Sequence, residues 1–218
     1  MAYAFFDVDG TLISLKSMLS FQDYWYATYD GSPRKRVAFE TEMADLRRRR
    51  ATREELNRRY YAHFAGRPVD AVSRAAVRWF DHVLRSTDDL FHPKVVSRLL
   101  SHHAHGIEPV FVSGSFPAIL GPIAERLGVR HILATTMAET NGIYTGAIHA
   151  QTIGAGKVEA MTAFLDGRGV AANDCHAYGD DISDLPMLQA VGGPAAVRGD
   201  RRLESHARRA GWEVLSPV

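Results

Sequence analysis

Four short stretches gather residues able to do chemistry: Asp7 and Asp9 in FFDVDGT, Ser113 in PVFVSGSFP, Lys157 in GAGK, and Asp180, Asp181 and Asp184 in YGDDISD. The run from Tyr3 to Phe6 reads as a buried β-strand, so Asp7 and Asp9, two residues apart, share a face at its end. Two carboxylates placed there repel each other and resist burial. A cation resolves the conflict, and donors that are all oxygen, without Cys or His, suit Mg2+. The Ser-Gly-Ser turn before Pro117 opens a helix and leaves backbone N–H groups free at its positive end, an anion site. Lys157 sits at the start of a helix, where the dipole disfavours a cation unless a bound anion offsets it. A hard cation, an anion cradle and a lysine together point to phosphate.

The elements that must position these groups fall into two parts. After the first strand, residues 16 to 88 show helical patterning: a helix from Ser17 to Thr28, then a basic one from Pro33 to Arg50 behind a Ser32-Pro33 start. Thr52 and Glu55 form a capping box for a third helix ending near Gly66, and Val69, Val72, Ala76, Val77 and Phe80 stripe a fourth. From Pro93 onward helices alternate with the strands PVFVS, HILATT (131–136), NGIYTGAI (141–148), CHAYGD (175–180), GGPAAV and WEVL. Such alternation predicts a parallel sheet covered by helices on both faces, with ligands at the carboxyl ends of the strands. The expected division is an α/β core of residues 1–13 and 91–218 with a helical bundle inserted over 14–90.

Composition excludes several classes. The 218 residues are 46% hydrophobic and 23% charged with a formal net charge of +1, which gives no general reason to expect nucleic acid. No apolar run approaches the ~20 residues of a membrane span, and MAYAFFDVDG lacks the charged and cleavage regions of a signal peptide. A single cysteine, Cys175, permits no intrachain disulfide, so a cytoplasmic location is expected. Basic residues exceed acidic ones within the helical insertion, fifteen to eleven over residues 14–93.

DVDGT, VSGS, Lys157 and GDDISD stand in the order of the four motifs of haloacid-dehalogenase-superfamily phosphatases, and this resemblance spans nearly the whole chain. The helical insertion after the first motif, NGIYTG and YGDDISDLPML resemble the subfamily that includes phosphoserine phosphatase, whose cap is a C1-type helical bundle on a Rossmann-like core. The resemblance implies that Asp7 is a nucleophile forming an aspartyl-phosphate and that Asp9 is the acid and base. It implies Mg2+ held by Asp7, the Asp9 backbone carbonyl, Asp180 and Asp184. Thr11, Ser113, Gly114 and Lys157 are assigned to phosphate, and a small phosphorylated metabolite is the expected partner, the protein being a monomer or homodimer. Phosphoserine phosphatases carry a glutamate nine residues after the nucleophile to bind an ammonium. Here that position is Lys16, which argues against phosphoserine and for an anionic leaving group.

Two other functions share parts of this pattern. A phosphotransferase passing the group from Asp7 to an acceptor alcohol needs the same motifs. A binding or regulatory module engaging RNA or acidic lipid would use the Arg47–Arg50 run, although that run reads better as a solvated helix face paired with acidic neighbours. His102, His103 and His105 precede Gly106 at a helix end, where they suit the dipole better than a metal. Tyr24, Trp25, Tyr26 and Tyr29 are expected mainly in the bundle core rather than as an aromatic cage for a quaternary amine. Asp181, where related enzymes carry glycine, is expected to face water, and Cys175 to be a small buried strand residue.

Overall fold

The strand that carries Asp7 is the pivot of the architecture. In the computed structural model, which describes residues 2–218, β1 (Ala2–Phe6) precedes four helices: α1 (Ser17–Trp25), α2 (Pro33–Arg48), α3 (Arg53–Ala62) and α4 (Val69–Ser86). Then follow α5 (Pro93–Ala104), β2 (Ile107–Ser113), α6 (Pro117–Leu127), β3 (His131–Ala134), β4 (Thr136–Thr140) and β5 (Ile143–Ala150). The chain closes with α7 (Ala155–Asp166), β6 (His176–Gly179), α8 (Leu185–Gln189), β7 (Gly193–Val197), α9 (Arg201–Ala210) and β8 (Glu213–Leu215). Six parallel strands pair in the order β3-β2-β1-β6-β7-β8. The chain winds outward from β1 in one direction and then, through β6, in the other. A crevice therefore opens at the carboxyl ends of β1 and β6.

Alternation along the strands builds two apolar layers. Tyr3, Phe5, Val110, Val112, Ala177 and Ala196 face α7, α8 and α9. Ala4, Phe6, Phe111, Tyr178 and Val197 face α5 and α6, in one cluster with Phe21, Phe64, Val72 and Trp79 of the helical insertion. The insertion thus shares a core with one face of the sheet. Its entry and exit run side by side: the Ser14 amide donates to the Leu90 carbonyl (2.8 Å) and the His92 amide to the Leu12 carbonyl (2.9 Å).

Several elements differ from their expected bounds. The first helix passes at Tyr26 into a π-helical turn to Asp30, and Gly31, at φ 57°, stops it in the left-handed region. The second ends at Arg48, and the third at Ala62, with Thr52 Oγ1 accepting from the Glu55 amide at 3.1 Å. HILATT is not one strand. Its Thr135 amide is drawn to the carbonyls of Ser113 (3.3 Å) and Ser115 (3.0 Å), which ends β3 and sends the chain into a separate antiparallel ribbon of β4 and β5. The ribbon turns at Asn141-Gly142, both at positive φ, a two-residue turn matched to strand twist. It leans on the insertion through Gly66 N–H to the Tyr144 carbonyl (2.9 Å) and Tyr144 N–H to the Arg67 carbonyl (3.0 Å).

Trp25 and Tyr26 are buried, as expected for core residues, yet with Phe64 they also surround a cation, the guanidinium of Arg67, at 4.7, 5.5 and 4.4 Å. The cage is filled by the protein's own side chain. His102 departs from expectation: it is buried, 2.8 Å from the Tyr178 hydroxyl, and burial pushes its pKa down to about 4. Uncharged at neutral pH, it brings no charge to the helix dipole. Cys175 is buried.

Candidate active site

Asp7 continues β1 by one residue, its amide donating to the Tyr178 carbonyl of β6 at 2.9 Å. Its Oδ1 accepts a 2.6 Å hydrogen bond from Lys157 Nζ, which gives a second one of 2.6 Å to Asp184 Oδ1. Lys157 lies in the first turn of α7, 3% exposed, and reaches across the crevice with two of its three N–H donors given to carboxylates. Burial alone would lower its pKa, but the Asp184 and Asp7 carboxylates outweigh that and hold it well above the ordinary lysine range.

Asp9 is set apart from Asp7 by its partners. The backbone N–H and hydroxyl of Ser17, the first residue of α1, both reach Asp9 Oδ2, at 2.9 and 3.0 Å, while buried Oδ1 has no partner among the described residues. Burial, and then the Asp7 charge, push the Asp9 pKa up to about 7. With Oδ2 accepting, a proton on this carboxyl belongs on Oδ1. The site therefore holds a carboxylate clamped by a lysine beside a carboxylic acid with one free oxygen, the division of labour that acid-base chemistry requires.

Asp180 follows β6, and Thr11 donates its hydroxyl to Asp180 Oδ1 at 3.0 Å. Thr11 is fully buried and does not line the cavity, so its contact in this structure is with a carboxylate rather than with the space a phosphate would fill. Oxygens of Asp7, Asp180 and Asp184 all lie within 4.8 Å of one another. Burial and the Asp7 charge push Asp180 up to about 7; Asp184, buried and near Asp7 but tempered by Lys157, rises to about 6. Crowded oxygens that take up protons in this way are a site short of positive charge, and the oxygen-only donor set fits Mg2+. Lys16 enters here: its Nζ contacts the Asp9 backbone carbonyl and stands 3.8 Å from Asp180 Oδ2. It therefore occupies oxygens that a metal would use.

Ser113 and Gly114 lie at the end of β2, facing Asp7 across the same cavity. The Ser115 amide donates to Ser113 Oγ at 3.1 Å, which leaves the Ser113 hydroxyl proton available to an anion. Asn57 Nδ2 and the Tyr61 hydroxyl both donate to the Gly114 carbonyl at 2.9 Å. The spacing of the sequence does not single out Ser17, Asn57 or Tyr61. The available signal was a polar Asn on the buried face of α3, four residues before a buried Tyr.

The cavity holds about 240 Å³. Besides the carboxylates its lining includes Met18, Leu19, Met43, Leu56 and Tyr60, together with Arg47 and Arg53. Arg48 and Arg49 pair with Asp45 as a solvated face would, whereas Arg47 lines the cavity without an ion partner among the described residues. Asp181 does not simply face water. It accepts from the Ser183 amide at 2.9 Å and pairs with Arg53, tying the insertion to the β6 loop. Among the described residues no His cluster offers metal-binding geometry, and no helix is long and apolar enough to cross a membrane.

Comparison with known proteins agrees with this geometry. A family model described as haloacid dehalogenase-like hydrolase matches residues 4–189. A probable phosphatase of Mycobacterium tuberculosis is 32% identical over 229 residues, covering 98% of this chain and 74% of the relative. A phosphoserine phosphatase of the same species is 29% identical over 221 residues, covering 98% and 70%. A Bordetella pertussis protein of unknown function superposes with a TM-score of 0.88 at 26% identity, covering 100% of this chain and 99% of that one.

Proposed function

This chain belongs to the haloacid dehalogenase-like hydrolases and is a phosphoric monoester hydrolase of the phosphoserine-phosphatase-like type; on that premise we propose a Mg2+-dependent phosphatase for a small phosphorylated metabolite, acting through a phosphoryl group carried on Asp7. The observation that carries this reading is the contrast between the two acids: Asp7 bound by Lys157, and Asp9 bound twice through Oδ2 with Oδ1 free. Asp7, the Asp9 carbonyl, Asp180 and Asp184 would hold Mg2+, with Thr11 orienting Asp180. Bound there, the metal neutralises phosphoryl charge and draws phosphate toward Asp7.

The steps for the protein's own residues then follow. Ser113 Oγ–H, the Gly114 amide and Lys157 bind the phosphoryl oxygens. The Asp7 oxygen not held by Lys157 attacks phosphorus as the ester P–O bond breaks, and Asp9 Oδ1 gives its proton to the departing alkoxide. Asp9, now ionised, takes a proton from water as that water attacks phosphorus. The Asp7–phosphorus bond breaks, releasing phosphate and restoring Asp9. Helices α1–α4 act in this reading as a cap domain over residues 14–90 that excludes bulk water and contacts the leaving group.

The apolar wall with unpaired Arg47 supports a leaving group that has an apolar portion and an anionic end. Lys16, which borders the same cavity beside the Asp9 carbonyl and Asp180, would add to that preference by turning toward the leaving group. The test is a panel of phosphomonoesters matched in length and differing in terminal charge, assayed with Mg2+. Preference for an ammonium terminus would reject this assignment. Release of inorganic phosphate without any acceptor alcohol would separate hydrolysis from phosphotransfer.

A further inference from the structure

We propose that Asn57 and Tyr61 are positioning residues for phosphate binding: by holding the Gly114 carbonyl from α3 they orient the Ser113 hydroxyl, so the phosphate cradle is complete only while α3 is docked. This inference rests on the phosphatase reading above and concerns residues that do not themselves touch the reacting atoms.

The two side chains are four residues apart on α3 and so project from one face. Asn57 is 5% exposed and Tyr61 fully buried, yet both carry polar atoms into the interface with the sheet. Both atoms converge at 2.9 Å on one acceptor, the Gly114 carbonyl. A carbonyl oxygen has two lone pairs, and two donors saturate it. The orientation of the Asn57 amide is itself determined. Gln151 Nε2, entering from the end of the ribbon, donates to Asn57 Oδ1 at 2.9 Å, which leaves Nδ2 for Gly114. Gln151 Nε2 also donates to the Glu54 carbonyl at 2.9 Å, so the ribbon grips α3 at two points.

Fixing the Gly114 carbonyl fixes a whole peptide plane, because carbonyl and amide are rigidly opposed across it. The amide of that plane belongs to Ser115, and it donates to Ser113 Oγ at 3.1 Å. Once Ser113 Oγ accepts this bond, its own proton is directed elsewhere, and the cavity lies in front of it. The chain of contacts runs from α3 through one peptide plane to the hydroxyl that meets a phosphoryl oxygen. Gly114 is also the position where a side chain would not fit, since an added Cβ would lie 2.7 Å from Ile153 Cγ1. The turn is thus packed by Ile153 and hydrogen-bonded by Asn57 and Tyr61, and only the hydrogen bonds come from the insertion. If α3 lifts away, the carbonyl loses both donors and the plane is free to rotate.

The test uses the full chain with saturating Mg2+, in wild type, Tyr61→Phe, Asn57→Ala and the double variant. Calorimetry reads the affinity for inorganic phosphate and, separately, for Mg2+, and steady-state hydrolysis of an aryl phosphate gives kcat and KM. One lost hydrogen bond to a buried carbonyl predicts about five-fold weaker phosphate binding for each single variant and about thirty-fold for the double. kcat should fall in parallel, with Mg2+ affinity changed less than about two-fold. Tyr61→Phe removes one oxygen and keeps the ring packing, so it decides the matter even if Asn57→Ala does not fold. Phosphate affinity and kcat within two-fold of wild type in Tyr61→Phe, with only the melting temperature lowered, would make these contacts merely structural and overturn the proposal. A wild-type protein that neither binds phosphate nor hydrolyses the ester would instead sink the phosphatase reading on which it rests.

Discussion

Replacing Lys157 by methionine keeps an unbranched side chain one atom shorter and removes the one ammonium shared by Asp7 and Asp184. The structure places both ion pairs at 2.6 Å, with side-chain exposures of 4% for the lysine and 11% and 3% for the acids. At an effective dielectric of about 20, each contact attracts by roughly 6 kcal/mol, much of it offset by the desolvation of three charges. The net cost of leaving buried charges without their counter-ion is about 3–5 kcal/mol. With a urea m-value of about 2 kcal/mol/M, the midpoint of the metal-free variant should fall by about 2 M at pH 8. The loss carries a pH signature. Asp184 already titrates above its unfolded value although Lys157 holds it down, so without the lysine it rises further, and the stability a raised carboxyl contributes is greatest in acid and is lost as pH rises. The midpoint deficit should therefore shrink by about half at pH 5, and saturating Mg2+ should recover part of it at pH 8. Lys35→Met, which removes an exposed pair with Asp30, serves as control and should change stability by less than about 0.5 kcal/mol. A Lys157→Met deficit below about 1 kcal/mol at pH 8, or one equal at pH 5 and pH 8, would refute the reasoning.

Other consequences follow from the same cluster. Lys16→Met removes a cation from the Asp9 carbonyl and Asp180, so Mg2+ affinity measured by calorimetry should rise about five-fold, one pair of charges being worth roughly 1 kcal/mol near the surface; unchanged or weaker binding would contradict the placement of Lys16. Asp9 and Asp180 near 7 and Asp184 near 6 bind protons in the folded, metal-free protein that the unfolded chain has released. That stabilisation is complete below the unfolded value of 3.8 and is lost as pH rises to about 7. Mg2+ replaces those protons, so its stabilising increment in melting temperature should grow from pH 5 to pH 7.5. Comparing each pH with and without metal cancels His102, which acts in the opposite sense, and an increment that shrinks with pH would contradict the carboxylate assignment. Ser17→Ala releases Asp9 Oδ2 from its hydroxyl donor while the backbone N–H remains. kcat for a poor leaving group should fall about ten-fold, with aryl phosphates affected less because their leaving groups need less protonation; equal losses on both would reject Ser17 as the residue that orients the acid.

The gathering of the candidate site residues was legible in the sequence where it depended on residue type and strand end. Asp7, Asp9, Ser113, Asp180 and Asp184 are met at one crevice because a parallel sheet delivers its strand ends to the same side, and Lys157 joins them from the first turn of α7. Contacts that depend on how the insertion docks were not legible. Asn57 looks like any polar helix residue until Gly114 is placed against it, and Asp181 looks solvated until Arg53 arrives from a residue 128 positions away. HILATT carries the composition of one strand, yet the buried Thr135 amide serves the Ser113–Ser115 turn and breaks it in two. Trp25 and Tyr26 gave no hint that the cation they surround would be internal, because Arg67 lies on a different segment, after α3. In each case the missing information was a hydrogen bond, ion pair or cation–ring contact between distant segments, which leaves no local pattern.

The central claim is that Asp7 carries the phosphoryl group between two half-reactions. Acid quenching of the protein during turnover of a phosphomonoester with Mg2+, followed by mass spectrometry of the peptide spanning residues 2–16, reads it most directly. The account predicts a phosphorylated species on Asp7 that appears before free phosphate accumulates and is absent from Asp7→Asn, which folds but releases no phosphate. Wild-type rates of phosphate release from Asp7→Asn would contradict it.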